Sequence, residues 1–345
     1  MNLADLLQDL LDEQASLDEV AASLDERDWD RPTPSPRWSV TDQIGHLRYF
    51  DGAAALAIRD PDAFSAEAKQ LMEASLLSET SGDDFTLRDF RLLSPADRLE
   101  SWRQGRAALA AAAGTLGERD RVSWYGPSMG AKSFVTARLM EAWAHGTDVC
   151  DTVGAHREPT HRLRHVAQLG YITRAWTYIN RGLAPPDGDV RVELAAPSGD
   201  VWYWGDADTS GEDAVTGPAL DFCLVVTQRR HVSDTALEVS GERAREWLTM
   251  AQAFAGPPTD GPRARAARER SEQERETRAR AARERSEQER ETRARAARER
   301  SEQERETRAR AARERSEQER ETRARAARER SEQERETGAR ERIGS

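Results

Sequence analysis

The chain has 345 residues and a net charge of −11, and these totals average two unlike stretches. From Arg263 to Thr337 run five tandem copies of RARAARERSEQERET without one aromatic or branched aliphatic side chain, so that segment cannot build a core. Each copy carries +1 and Gly338–Ser345 another +1, which leaves residues 1–262 at −17; such an acidic body lacks the clustered cations that a duplex-binding surface needs.

Cys150 and Cys223 lie far apart with no CxxC spacing, which excludes a disulfide framework and a cysteine-rich zinc site and fits a reducing cytoplasm. The start, MNLADLLQDLLDEQ, is acidic and amphipathic rather than signal-like, and no run approaches the roughly 20 apolar residues of a membrane span. A cytoplasmic protein is expected.

Leu3, Leu6, Leu7, Leu10, Leu11 and Val20 recur at helical spacing and predict a first helix to about residue 25, before the Pro-rich RPTPSPRW. Ser39 followed by Asp42 is an approximate capping box opening a second helix to about Ala57, with Pro61 helping to stop it. A third helix is expected over 66–78, a fourth from Ser94-Pro95 to about Leu116, a fifth over 133–153 and another over 161–182. After Pro185-Pro186 the period changes. VRVELAAP and VWYWGD alternate like strands of a hairpin across Ser198-Gly199. A helix over 217–230, a short strand over 236–239 and a closing helix over 241–255 complete a second unit. The fold class expected is mainly α: a helical domain over 1–185, a small α+β domain over 186–256, a linker over 257–262 and the charged tail over 263–345. In the tail, Arg and Glu repeat four residues apart with no apolar seam, which predicts a solvated single helix or disorder rather than a coiled coil.

Two histidines sit in suggestive settings. On the helix over 133–153, Glu141, His145 and Asp148 fall within about 60° of one another, with Phe134 and Arg138 on the same row of an otherwise apolar helix. This row reads either as a salt-bridged edge or as part of a site. His46 lies beside the apolar sector of Val40, Ile44, Leu47 and Phe50, and reads either as a hydrogen-bonded core residue or as a ligand. Facing each other, His46 and the E-x3-H pair would offer two nitrogens and an oxygen, a set zinc accepts with one position left open.

Residues 36–51, PRWSVTDQIGHLRYFD, and 139–149, LMEAWAHGTDV, resemble the two signature segments of the DinB-like, mycothiol-dependent maleylpyruvate isomerase metal-binding domain family. The resemblance covers roughly residues 5–180, and the segment after Pro186 is similar to the small domain that accompanies it in actinobacterial relatives. It implies an up-down-up-down four-helix bundle, a divalent metal, usually zinc, and His46, Glu141 and His145 as its ligands. Asp148 would then orient His145 or serve as a spare oxygen ligand. It also implies mycothiol as co-substrate, and Arg229 as the counterpart of a catalytic arginine, with Gln228 where the family has glycine. Some relatives of the C-terminal segment are grouped with a wyosine-base domain of tRNA modification, but no nucleotide-handling motif is present here.

Two other constellations compete. Gly126-Pro-Ser-Met-Gly130 matches the G-x-S-x-G nucleophile elbow, with Asp206 and His231 downstream, but the helical residues before Arg121 supply no parallel sheet. His156, His161 and His165 could hold a metal with Glu158, although a polar loop entering a helix explains them as well. The expected function is therefore a metal-dependent, thiol-using transferase or isomerase acting on a small molecule. The alternative is a non-catalytic metal or small-ligand binding module.

Overall fold

The computed structural model describes residues 1–78, 80–205 and 213–343. Four long helices make the bundle: α1 (Leu3–Ala22), α2 (Val40–Arg59), α5 (Pro95–Ala113) and α6 (Ala131–Val153), with α3 (Pro61–Ser75) and α4 (Ser81–Arg91) on the connection between α2 and α5. Local chemistry fixes their ends. Ser39 and Asp42 form the expected capping box at α2, Asn2, Asp60 and Ser94 cap α1, α3 and α5, and Gly154 at φ 73° terminates α6.

Contacts between the helices show their directions. Thr41 meets Arg98 and Arg48 meets Ser101, so α2 and α5 run the same way. Asp18 meets Arg103 and Gln14 meets Arg106, so α1 and α5 are antiparallel. Gln43 meets His145 and Asp51 meets Arg138, so α2 and α6 are antiparallel as well. The four-helix bundle is present, but in up-down-down-up rather than the expected up-down-up-down order, because α3 and α4 carry the chain back along the bundle before α5 begins. Helix α4 had no counterpart in the sequence reading; its stretch SGDDFTLRDFR buries only Leu87 and Phe90.

Beyond α6, the single helix expected over 161–182 is two: α7 (Leu163–Ile172) and α8 (Arg174–Ile179). The strands β3 (Arg191–Ala195) and β4 (Val201–Trp204) form the expected hairpin, pairing Val192 with Trp204 and Leu194 with Trp202 on one buried face. Strand β5 (Ala214–Pro218), read in part as helix, pairs parallel to β3 and antiparallel to β6 (Glu238–Ser240), giving the order β4-β3-β5-β6. Helix α9 (Ala219–Val226) ends earlier than expected, with Gln228 in the left-handed region at φ 60°. Helix α10 (Glu242–Met250) closes this segment.

One apolar core runs through both parts, from Leu10, Ala54, Leu109 and Trp143 in the bundle to Val192, Trp204, Phe222 and Trp247 in the α+β segment. Residues Met1–Ala267 are accordingly one compact unit. The second unit, Arg268–Ser345, lies within α11 (Arg265–Ile343) as far as it is described. In α11 Arg280 pairs with Glu284, and the pairing recurs at Arg295–Glu299, Arg310–Glu314 and Arg325–Glu329, at 3.0 to 3.1 Å. No described helix is long and apolar enough to cross a membrane.

Candidate metal centre

Helices α2 and α6 cross antiparallel, which brings His46 of α2 against Glu141 and His145 of α6. Glu141 Oε2 lies 3.4 Å from His46 Nε2 and 3.0 Å from His145 Nε2. The three donor atoms fall within 4.8 Å of one another, the one such grouping of metal-ligating side chains among the described residues. The row Phe134, Arg138, Glu141, His145, Asp148 is therefore no solvent edge: all but Glu141 are buried, and Glu141 is nearly so.

Electrostatics favour a cation here. Burial above all, helped by the neighbouring His145, lowers the His46 imidazole to about 4, so it is neutral at physiological pH. Burial acts to raise Glu141, but the hydrogen bonds from His145 and His46 outweigh it and hold its carboxyl well below the usual range. An ionised carboxylate thus faces a neutral imidazole in a buried place. Two nitrogens and an oxygen of this kind fit zinc or a similar divalent ion.

An aromatic wall encloses the donors. Trp38 stacks on His145 at 5.7 Å and lies 5.2 Å from His46, while Phe50 packs 4.5 Å from His46 and continues to Tyr125 and Trp124. Sequence reasoning missed Trp38, because its neighbours in the Pro-rich segment gave no periodicity to place it on a face. Gln43 was missed too: it is fully buried one turn before His46, and its Oε1 lies 2.5 Å from His145 Nδ1.

The orienting contact on His145 comes from Gln43, whereas Asp148 Oδ2 accepts from Ser35 Oγ at 3.0 Å and from Arg229 Nη2 at 2.9 Å. Arg229 also donates to the Thr227 carbonyl, so its guanidinium is seated on Asp148, one turn along α6 from His145. His161 and His165 both turn Nε2 to Asp9 of α1, at 3.0 and 2.7 Å, while His156 pairs with Glu158 on the surface. Asp9, 152 and 156 positions earlier in the chain, thus pairs with both, and through His165 it ties α7 to α1. The G-x-S-x-G pattern lies between β1 (Arg121–Val122) and β2 (Met129–Gly130), a two-residue antiparallel pair, with Ser128 exposed and accepting from Arg121. Asp206 lies outside the described residues, and His231 bonds Ser233.

Residues 10–150 match the family described as Mycothiol maleylpyruvate isomerase N-terminal domain. Two uncharacterised proteins of Mycobacterium tuberculosis, MT0041 of strain CDC 1551 and Rv0036c of strain H37Rv, are each 43% identical over 253 residues, covering 73% of this chain and 96% of theirs. The chain belongs to this family. Solved structures of a mycothiol-dependent maleylpyruvate isomerase and of a point mutant of it align with TM-scores of 0.46 and 0.47 at 15% and 16% identity, over 75% of this chain and 97% of each of those.

Proposed function

We propose that this family member is a divalent-metal protein, with zinc held by His46, Glu141 and His145, that uses a low-molecular-weight thiol, mycothiol, in a transfer or isomerisation reaction on a small molecule. The observation that carries this reading is the convergence of both Nε2 atoms on Glu141 Oε2 from two helices. His46, Glu141 and His145 would hold the cation, which would supply a lowered pKa to a thiol that ordinarily titrates near 8.5, making thiolate accessible at neutral pH. The chain's own residues supply the rest. His46 stays neutral through burial and so keeps a lone pair to offer, and Glu141 provides the negative charge that retains a cation. Trp38 and Phe50 shield this side of the site from water. Arg229 acts as a positioning residue, holding Asp148, which accepts from Ser35 in the segment that leads to Trp38. The family description supports the thiol.

The test is the metal content of the full chain after dialysis without chelator, followed by turnover with and without mycothiol. Near-stoichiometric metal that is lost in His46→Ala, Glu141→Ala and His145→Ala, with turnover requiring the thiol, is expected. Failure of the unaltered protein to take up zinc overturns the reading. Metal uptake without any thiol-dependent turnover leaves a metal-binding module in its place.

A further inference from the structure

The segment that precedes α2 makes a chain of hydrogen bonds ending on the candidate metal centre. Thr33 Oγ1 donates to the Trp38 carbonyl at 2.9 Å, which spends the hydroxyl hydrogen and leaves its lone pairs outward. Gln43 Nε2 donates to that oxygen at 2.9 Å. An amide whose nitrogen is committed to Thr33 must present its oxygen to the other side, and there Gln43 Oε1 meets His145 Nδ1 at 2.5 Å. An oxygen acceptor requires a proton on Nδ1, so when a cation takes the place of the hydrogen that Nε2 shares with Glu141, Nε2 is the nitrogen left with a lone pair to offer. Gln43 is fully buried, so the amide has no water to turn toward.

We propose that Thr33 and Gln43 are positioning residues that select the Nδ1–H tautomer of His145 and thereby make its Nε2 a metal ligand. This deepens the metal reading above and rests on it. Free imidazole has no such constraint; with the other tautomer, Nε2 would carry hydrogen and one of the three donors would be lost. Outer partners of this kind change metal affinity by about 10- to 100-fold. Asp148 and Arg229 have no part in this chain, since their hydrogen bonds run to Ser35 and Thr227.

The experiment is zinc affinity of the full chain by competition with a chromophoric chelator, with imidazole 15N spectra of the zinc-loaded protein as a second readout. Gln43→Leu should bind zinc about 10- to 100-fold more weakly, while Gln43→Glu, whose two oxygens both accept, should retain affinity. Thr33→Val frees the amide to flip and should weaken zinc binding in the Gln43 protein but not in the Gln43→Glu background. A merely structural role for Thr33 would weaken both backgrounds alike. The spectra should show His145 bonded to hydrogen at Nδ1 and to metal at Nε2. If Gln43→Leu binds zinc as tightly as the unaltered protein while His145→Ala does not, the inference is overturned and the metal site stands. If the spectra show metal at Nδ1, the inference is overturned as well. If the unaltered protein takes up no zinc, both readings fall together.

Discussion

Arg229 Nη2 lies 2.9 Å from Asp148 Oδ2, joining the turn after α9 to the helix that carries Glu141 and His145. Both side chains are almost fully withdrawn from water, at 11% and 4% exposure, so each charge depends on the other. Arg229→Ala, which strands the carboxylate, should cost about 3 kcal/mol in urea unfolding. Replacing the pair together, as Arg229→Met with Asp148→Leu, should cost less than the single change. An Arg229→Ala midpoint equal to that of the unaltered protein would show that the pair holds nothing together.

Two buried groups should oppose each other in the pH dependence of the metal-free protein. His46 is lowered from 6.5 to about 4, mainly by burial, so between those values the unfolded chain holds the extra proton. Its contribution is complete above pH 6.5 and is lost as pH falls, by about 1.4 kcal/mol per unit at most. Asp51 is raised from 3.8 to about 6, chiefly by burial against the opposing pull of Arg138, so there the folded chain holds the extra proton. Its contribution therefore grows as pH falls from 6 toward 4. Asp51→Asn should remove the opposing slope and make the loss of stability below pH 6.5 steeper. Unfolding measured from pH 7 to 4 with identical slopes in the two proteins would contradict this.

Gly170 permits the close approach of α7 to α9. A β-carbon there would meet the Val226 side chain at 2.6 to 3.0 Å, and Val226 is branched and 1% exposed, with no room to swing aside. Gly170→Ala should destabilise by about 1 to 3 kcal/mol despite the better helix propensity of alanine. A gain in thermal stability instead would mean that the two helices separate easily.

The repeat segment should be helical without self-association. Its Arg–Glu pairs recur at four-residue spacing on exposed positions, and each contributes only about 0.3 to 0.5 kcal/mol. A peptide of residues 263–337 should give a helical circular dichroism spectrum that weakens in 1 M salt and does not change with concentration. A coil spectrum at low salt would contradict the helix; helicity rising with concentration would point to association.

Much of the architecture was legible because it rests on local chemistry. Ser39 and Asp42 announced the start of α2, Pro95 that of α5, and the alternation around Ser198-Gly199 the hairpin, since caps, fixed φ and side-chain period act within a few residues. Helix α4 was not legible, because its short polar stretch gains its place only when Leu87 and Phe90 meet α2 near Gly45. The early part of β5 was hidden for a similar reason: AVTGP becomes strand by pairing with β3 and β6, each distant in sequence.

The same division runs through the site. The donor types and their rows were readable from spacing, His46 on one helix and Glu141 with His145 four apart on another, because 3.6-residue periodicity places side chains on faces. So was the separate character of the tail, which has nothing apolar to bury. It took the packed helices to bring the two rows together at 3.0 and 3.4 Å, to place Gln43 rather than Asp148 against His145, and to turn Asp148 to Arg229. The helix crossing sets these contacts, and it depends on a core that gathers side chains from all along residues 1–262. No local rule of spacing contains that information.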